Sequence, residues 1–403
     1  MINLPYTGVT RYIVLVVSTL LINISAGAEE RTFIDALIQG DAYIDARLRY
    51  ESVEEDKQLD DADALTLRTR LGYETGGFYG FSALLELEDS REVFGVDDFS
   101  VPPSDIRTGQ FSVIADPENT ELDQGYIAYS NKGINSRLGR QVITHDGQRF
   151  IGDVGWRQDR QTFDAFSLGY QSNDHFAISA SYIDKRNRIF ADDADIESKD
   201  FIINAWLQTA IGKWVGYAYL LEADDNDIDD QLDTYGISYS GNKEQLFYRL
   251  EYAQQEADDV FDTDYLAAEG GINFGSVTTK IGYELLGSDN GEAGFSTPLA
   301  TLHKFNGWAD MFLNTPAAGL QDWYISSGGN LLEGKWLAVY HDFSADDSID
   351  GDDDLGNELD LQFTRDFAKH YKFGIKYADY SSGDSTFEKV DTEKFWIWLE
   401  AKF

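Results

Sequence analysis

Four arginines lie at alternate positions in two consecutive segments of alternating polar and apolar residues. They are Arg47 and Arg49 in the first segment and Arg68 and Arg70 in the second. Because side chains two positions apart in a strand point to the same side, each pair shares one face. A hairpin that closes around residues 54–62 brings the two pairs level with each other. Four guanidinium groups on one wall suit bidentate contacts with carboxylates or sulfates, so this basic ladder predicts a route for anionic solutes.

The same arginines have a second interpretation. Acidic residues lie on the same faces or on the next segment, namely Asp45, Glu51, Glu86 and Glu88. In that interpretation the arginines only neutralise neighbouring carboxylates on a wall of mixed charge. The sequence leaves both interpretations open.

The composition excludes several classes of protein. The chain has 72 Asp and Glu against 32 Lys and Arg, a net charge of −40, which excludes a general nucleic-acid partner because phosphate contacts need basic surface. It has no cysteine, which excludes disulfide frameworks and thiolate metal sites. With 8 Trp, 23 Tyr and 25 Phe it is too aromatic for a disordered coil. No cofactor is expected.

The N-terminal residues predict export from the cytoplasm. Arg11 precedes a mostly apolar run over residues 12–24, which is followed by the small-residue pattern Ala-Gly-Ala ending at Ala28. This arrangement is typical of a signal peptide, so we expect residues 1–28 to be removed after Ala28. Residues 29–403 then form a single domain.

The rest of the chain predicts an all-β fold. About eighteen segments alternate between apolar and polar residues, and most are long enough for a tilted strand to cross a bilayer. No segment approaches the eighteen consecutive apolar residues of a membrane helix. The segments lie near 40–53, 63–75, 78–91, 121–130, 134–143, 161–171, 175–184, 199–209, 213–222, 232–240, 244–255, 262–274, 276–286, 320–329, 333–343, 357–367, 370–380 and 393–403.

The connections between these segments alternate in length. After every second segment the turn is short, as at Gly76-Gly77, whereas the other connections are longer and mostly acidic. This alternation is typical of an outer-membrane barrel with short periplasmic turns and long extracellular loops. The longer connections are residues 54–62, 92–120, 144–160, 185–198, 223–231, 256–261, 287–319, 344–356 and 381–392.

The barrel must be closed, because an open sheet would leave unpaired backbone groups in the hydrocarbon. We therefore predict a transmembrane antiparallel β-barrel of 16–18 strands, with about 18 as the expected number. The last segment, 393–403, ends in Phe403. A terminal aromatic residue on such a strand resembles the signal that the outer-membrane assembly machinery recognises.

Two of the long loops, taken with their flanking strands, are less acidic and more specific than the others. They are Arg137–Phe166 (RLGRQVITHDGQRFIGDVGWRQDRQTFDAF) and Thr297–Tyr324 (TPLATLHKFNGWADMFLNTPAAGLQDWY). Together these motifs resemble the alginate-export porin family. The resemblance implies an eighteen-stranded, monomeric outer-membrane channel for an anionic polysaccharide. The chain is shorter and its loops more acidic than expected of an alginate exporter itself, so uptake of small oligosaccharides or other small solutes is at least as well supported.

Further basic residues are candidates for the wall of the pore. Arg140 is the least regular of them, because simple alternation places it on the same face as Leu138 and Val142. Either a bulge turns it inward or it lies above the lipid near the outer headgroups. The whole set is Arg140, Arg157 and Arg160 in the first motif, and Arg249, Lys280 and Lys376 on later segments.

Tryptophans and acidic runs give weaker signals. Trp156 and Trp308 are expected to anchor the loops or to stack on sugars. The acidic run at residues 346–354 offers Asp350, Asp352 and Asp354 as oxygen ligands for calcium, but lacks the spacing and closing Glu of an EF-hand. The alternative is a solvated, repulsive loop, and the run Asp224–Asp230 has the same two interpretations.

Two other classes of function remain as alternatives. An outer-membrane hydrolase would need a catalytic group, but only His145-Asp146 puts a base beside a carboxylate, and no G-x-S-x-G elbow is present. A soluble periplasmic glycan-binding protein is the second alternative. The sequence favours a monomeric, non-enzymatic porin that lets small hydrophilic solutes, anionic ones included, diffuse passively. Its expected partners are outer-membrane lipid, lipopolysaccharide and those solutes.

Overall fold

The computed structural model describes residues 32–102, 106–223, 231–257 and 261–403. The predicted signal peptide, residues 1–28, and the acidic run Asp224–Asp230 lie outside these residues. Cleavage after Ala28 therefore stays a prediction.

The described chain contains one short α-helix and twenty strands. The helix α1, Phe33–Ile38, begins with a capping box formed by Thr32 and Asp35. Within the described residues, no helix is long and apolar enough to cross a membrane. The strands are β1 Asp41–Glu55, β2 Ala62–Glu74, β3 Phe81–Asp98, β4 Asn119–Asn131, β5 Ile134–Gln141, β6 Thr162–Ser172, β7 Phe176–Asn187, β8 Ile196–Thr209, β9 Gly212–Glu222, β10 Gln231–Lys243, β11 Leu246–Ala257, β12 Phe261–Phe274, β13 Val277–Leu286, β14 Ser288–Asp289, β15 Ala293–Gly294, β16 Leu320–Leu331, β17 Gly334–Ile349, β18 Asp352–Phe367, β19 Tyr371–Ser381 and β20 Thr392–Lys402.

Eighteen of these strands form one closed antiparallel sheet, whereas β14 and β15 pair separately. Each strand of the large sheet pairs with its neighbour along the chain, and β20 closes the barrel on β1. At the seam, Ile44 and Phe403 exchange two backbone hydrogen bonds, each 3.0 Å long. The prediction of a closed barrel of about 18 strands is confirmed.

The outer surface of the barrel is apolar. Outward-facing side chains such as Ile44, Leu71 and Leu250 are about half exposed, although they are among the most hydrophobic residues of the chain. An exposed apolar belt of this kind contacts lipid hydrocarbon. Aromatic rings pack together near the short turns, as for Trp214 and Tyr239, whose ring centroids are 4.5 Å apart. Such aromatic girdles mark the interface between the lipid and water.

One predicted loop is instead a hairpin. The sequence predicts a long acidic loop at residues 344–356, but β17 and β18 extend as far as Ile349 and Asp352 and leave only a two-residue turn. Asp350 and Gly351 in this turn have φ values of 56° and 99°. Positive φ at both central residues is the geometry of a tight hairpin turn. The strict alternation of short and long connections is therefore wrong at this position.

Two long connections fold into the barrel. We call residues 142–161 the first lumen loop and residues 287–319 the second lumen loop. Phe150 of the first loop packs on Tyr217 and Tyr265 of the wall, with ring centroids 5.2 Å away in each case, and on Phe295 of the second loop at 5.9 Å. The loops thus share an apolar core with the inner wall.

A third connection covers one side of the mouth. The connection between β3 and β4, residues 99–118, places Phe99, Val101 and Ile114 against the end of the first hairpin, where they are fully buried. This packing fixes the position of Asp116, which lies inside the barrel and is 1% exposed.

The seam between the first and last strands generates the first prediction. Phe403→Ser keeps the backbone pairing to Ile44 but removes a ring that stacks on His370, with centroids 5.1 Å apart. If the terminal aromatic residue is the assembly signal, this variant should reach the outer membrane in clearly smaller amounts. The measurement is the fraction of heat-modifiable protein in outer-membrane fractions. Phe367→Ser, which removes an exposed ring elsewhere on the periplasmic edge, is the control and should assemble normally.

Candidate functional site: a lumen constricted by two loops

The four ladder arginines point into the barrel. Arg47 lies directly opposite Arg68 in the register of β1 and β2, so the predicted shared height is confirmed. Their side chains are nevertheless almost inaccessible to solvent. The four residues are between 1% and 5% exposed. The contacts that cover them decide what they do.

Arg47 and Arg49 bind the first lumen loop. The Arg47 guanidinium donates to the side-chain oxygen of Gln158 at 2.9 Å, to the carbonyl of Gly155 at 3.2 Å and to the carbonyl of Arg157. Arg49 donates to the carbonyl of Trp156 and to the carboxylate of Asp116. This half of the ladder is therefore a docking site for protein carbonyl groups.

Arg68 and Arg70 are neutralised by acids of the wall. Arg68 donates to Asp45 at 2.6 Å, and Arg70 pairs with Glu88 and lies 3.3 Å from Asp123. This is the second interpretation that the sequence left open. Within the described residues, the ladder lies behind the first lumen loop and presents no free face to a solute.

Arg157 and Arg160 lie in the lumen, as predicted. Arg157 bonds to both oxygens of Glu51 at 3.0 and 3.1 Å, and to Asp310 of the second lumen loop at 3.1 Å. Arg160 donates to Asp123 at 2.7 and 3.0 Å. Burial by itself would lower the pKa of Arg157, but the surrounding carboxylates outweigh burial and raise it. The guanidinium is therefore charged and connects the wall with both loops.

A cluster of aromatic rings joins the loops to the last two strands. Trp156 of the first lumen loop stacks on His303 of the second, with ring centroids 4.8 Å apart and planes at 6°. The ammonium group of Lys376 on β19 lies 3.8 Å from the centroid of Trp156 and 4.1 Å from that of Trp308. It also donates to the ring Nε2 of His303 at 3.0 Å. We call these residues, with Trp396 of β20, the lysine cage.

The His303 ring is uncharged at neutral pH. Burial lowers the pKa of His303 to about 3. Its Nδ1 lies 2.7 Å from Asp310, and with Nε2 accepting from Lys376 the proton resides on Nδ1. Burial alone would raise the pKa of Asp310, but contact with His303 and the charges of Lys394 and Arg157 hold it well below its usual range.

Arg140 is not in the lumen. The register is regular on both sides of β5, and Arg140 lies opposite Asp164, with which it forms hydrogen bonds of 2.9 and 3.1 Å. Leu138, two residues earlier, is 62% exposed on the outer surface. No bulge in β5 turns the side chain inward, so the assignment of Arg140 to the pore wall is corrected.

Arg249 and Lys280 do face the lumen. Arg249 pairs with Glu251, and Lys280 donates to Glu269 at 2.6 Å. Both line a cavity of about 270 Å³ below the second lumen loop. Of the predicted wall cations, these two remain next to open space.

The weak calcium candidates do not converge on one point. Asp352 accepts from Thr386, and the backbone N–H of Asp354 donates to Asp384 at 3.1 Å. Asp350 lies in the hairpin turn. Among the described residues, no group of three or more His, Cys, Asp or Glu side chains is arranged to hold a metal ion.

The geometry of His145 and Asp146 does not match a catalytic dyad. Asp146 accepts a hydrogen bond from Asn204, while His145 stacks on Tyr219 with centroids 6.5 Å apart. Burial lowers the pKa of His145. The carboxylate thus has a structural partner other than the neighbouring imidazole.

A family comparison places the chain among known proteins. The model of the alginate export family matches residues 40–288. The chain belongs to the alginate export family. The matched range includes the ladder and the first lumen loop. Among curated proteins, no match to this chain was found.

Solved structures show the same fold. Pseudomonas aeruginosa OpdO superposes with a TM-score of 0.70 at 13% identity, covering 93% of this chain and 99% of that one. Acinetobacter baumannii OccAB4 superposes with a TM-score of 0.69 at 12% identity, covering 90% of this chain and 98% of that one. Pseudomonas aeruginosa OpdK, whose structure was solved with vanillate, superposes with a TM-score of 0.66 at 13% identity, covering 90% of this chain and 98% of that one. This member of the alginate export family thus has the closed barrel fold of these proteins.

Several residues of the site escape prediction from the sequence. His303, Lys304 and Asp310 lie within the second motif, in which the sequence pattern singles out only Trp308. A signal is present in the last strand, where Trp396 and Trp398 alternate with the lipid-facing residues. Two tryptophans on the inward face of a strand indicate that protein, rather than water, fills the lumen beside them.

Breaking the buried charge cluster should release the loops. Arg157→Gln removes the shared partner of Glu51 and Asp310, which keep Arg49 at 3.4 Å and Lys394 at 3.2 Å respectively, so the cost should stay below the about 3–5 kcal/mol of a buried charge left with no partner. The measurement is urea unfolding followed by tryptophan fluorescence, because Trp156 and Trp308 lie in the loops. The double variant Glu51→Gln/Arg157→Gln should lose less than the sum of the two single changes. Arg91→Gln, in a solvent-exposed pair with Asp89, should leave the transition unchanged.

The uncharged His303 predicts a loss of loop stability in acid. The pKa of His303 is about 3 in the folded protein, below the ordinary 6.5. The contribution of this uncharged ring to the free energy of unfolding is therefore complete above pH 6.5 and is lost as the pH falls towards 3. Each pH unit in this window removes about 1.4 kcal/mol, so about 2 kcal/mol is lost at pH 5. His303→Asn retains a donor to Asp310 but does not titrate. The shift in urea midpoint between pH 7.5 and pH 5 should therefore be smaller in the variant, and equal shifts would contradict the assignment.

Proposed function

We propose that this protein is a monomeric channel for passive diffusion of small hydrophilic solutes, with a preference for those that carry a carboxylate. The observation that supports the proposal is the 270 Å³ cavity below the second lumen loop. Its wall has carboxylates that already accept hydrogen bonds from protein donors, and cationic donors whose capacity is only partly used. Such a wall favours an acceptor-rich anion.

Two of the three carboxylates in this wall have protein donors from neighbouring strands. Glu269 accepts from Lys280 at 2.6 Å and from the hydroxyl of Tyr324 at 2.8 Å. Asp322 lies 2.9 and 3.0 Å from the Nδ1 of His341. The two donors to Glu269 both bind Oε2, and the Asp322 carboxylate shares both oxygens with His341, so each group already has a donor that weakens its attraction for a solute cation.

The third carboxylate has protein donors on both oxygens. On one oxygen, Glu284 accepts from Arg149 at 2.7 Å and from the Tyr265 hydroxyl at 2.6 Å. On the other oxygen it accepts from Asn306 at 2.7 Å. One cationic and two neutral donors therefore leave this carboxylate little capacity to attract a solute cation.

The donors of the cavity are less fully used. Within the described part of the chain, the Lys304 ammonium bonds only to the Gly147 carbonyl at 3.0 Å and to Gln148 at 3.5 Å. Arg249 has one bonded terminal nitrogen, directed to Glu251. The cavity therefore has spare positive hydrogen-bonding groups at its edge, which suit a carboxylate.

The shape of the cavity supports a small solute. Its volume lies just below the range for sites of drug-sized ligands, which corresponds to about one ring. Phe305, Trp308 and Tyr324 give it aromatic surface. The similar barrel OpdK was solved with vanillate, a small carboxylate, which is consistent with this class of solute.

The extracellular mouth disfavours a long anionic polymer. A cavity of about 330 Å³ at this rim is surrounded by seven carboxylates, and a polyanion would bring many charges within the Debye length of about 8 Å. A small monoanion brings only one negative charge to this rim and is repelled less. The carboxylates are Glu54, Glu55, Asp56, Asp61, Asp379, Asp391 and Glu393.

The test is the block of single-channel current by solutes in planar bilayers. Glucuronate should interrupt the KCl current at lower concentration than glucose, which has a similar ring without the carboxylate. Lys304→Gln should weaken the glucuronate block about 10-fold or more, because hydrogen bonds to charged groups contribute about 1.5–3 kcal/mol. Lys335→Gln is the matched control, since it removes an exposed lysine of β17 that does not line the cavity.

Two results would overturn the proposal. Equal block by glucose and glucuronate, unchanged in Lys304→Gln, would reject the carboxylate preference. Absence of any conductance from correctly folded, heat-modifiable protein would reject passive diffusion and favour the hydrolase alternative.

A further inference from the structure

Lys376 is in an unusual environment for a lysine. It is 5% exposed, and within the described residues its ammonium group has no carboxylate within the 4.0 Å that defines an ion pair. Its near neighbours are the faces of Trp156 and Trp308, the ring nitrogen of His303 and, at 5.7 Å, the ring of Trp396. Burial of a charge without a counter-ion is unfavourable unless something else stabilises the charge. Here aromatic rings contact the charge, and the buried carboxylates of Asp310 and Asp360 act on it from beyond 4.0 Å.

These rings come from three separate parts of the chain. Trp156 belongs to the first lumen loop, Trp308 and His303 belong to the second lumen loop, and Trp396 lies on the neighbouring wall strand β20. Lys376 is on β19, so its side chain is anchored to a strand of the barrel wall. One ammonium group thus contacts both long connections and the wall at once.

We infer that Lys376 is the positioning residue of the constriction: its ammonium group fixes both lumen loops to the wall of β19 and β20 and thereby sets the width of the route through the channel. The solute does not need to touch it. The inference uses the proposed conduction only for one of its readouts, because loop position can be measured independently.

The neighbouring contacts explain why charge, and not only size, is required. The Trp156 face and the His303 Nε2 are both electron-rich groups directed at Nζ. An uncharged side chain of the same length would fill the space but would leave the His303 Nε2 without its donor and the ring faces without a cation. Among the described residues, the two loops would then remain attached through their other charged contacts, Lys394 with Asp310 included, and through their apolar packing.

The absence of cysteine from the chain gives a clean measurement of loop position. Ala309 in the second lumen loop is 1% exposed, so Ala309→Cys introduces a single thiol that is protected while the loop is in place. We call the Ala309→Cys protein the parent, and every further change is made in it. Lys376→Met removes the charge at nearly constant length, and Lys376→Arg retains a charge. The control is Lys372→Met, which removes a lysine on the same face of β19, 4.0 Å from Glu400 and outside the cage.

Lys376→Met should speed maleimide labelling of the introduced thiol by about 10-fold or more, whereas Lys376→Arg and Lys372→Met should label at a rate close to that of the parent. The same charge-neutral variant should give larger or noisier single-channel currents. Heat-modifiable migration of each variant shows that its barrel has folded.

Chemical rescue separates a positioning charge from simple packing. Lys376→Ala leaves a space that propylammonium complements, and propylammonium should slow the labelling of the thiol towards the parent rate, while 1-propanol should not. Rescue by both compounds, or labelling in Lys376→Met equal to that in Lys372→Met, would overturn the inference. Fast labelling in Lys376→Met without any conductance in the parent or the variants would support it while rejecting the proposed function.

Discussion

The arrangement of the lumen depends on the pairing of buried charges. An ion withdrawn from water costs several kcal/mol unless a partner compensates for it. Arg49, Arg157 and Asp310 are all buried inside the barrel, and each contacts groups from another element. The loops can therefore enter the lumen only in the position that provides every one of these charges with its partners.

This constraint changes the meaning of the basic ladder. On an empty barrel, Arg47 and Arg49 would be exposed to water and available to an anion. In the folded chain they bind backbone carbonyls at Gly155 and Trp156, so the wall recognises the protein's own loop. The spare hydrogen-bond donors lie elsewhere, beside the cavity below the second lumen loop. The candidate solute site and the basic ladder are thus different places.

An apolar core inside the barrel complements the charged contacts. Phe150, Phe295 and Tyr265 pack where a wide porin would hold water, and the lysine cage closes the remaining side near β19 and β20. The family match and the similar barrels agree on the outer architecture, but solved barrels at 10–14% identity do not specify these interior contacts. The chemistry of the lumen belongs to the side chains of this chain.

The sequence by itself determined the barrel, because the period of two in its strands is local and each strand pairs with its neighbour in the chain. It predicted the inward direction of Arg47, Arg68 and Lys280 for the same reason. It could not locate the hairpin at Asp350, since an acidic run is compatible with either a loop or two solvated strand ends. Only the tertiary structure decided the burial of the ladder, the partners of the loop arginines and the cage around Lys376. The contacts between Lys376 and the two lumen loops join residues separated by about 70 to more than 200 positions, and no local pattern encodes which loop reaches which wall.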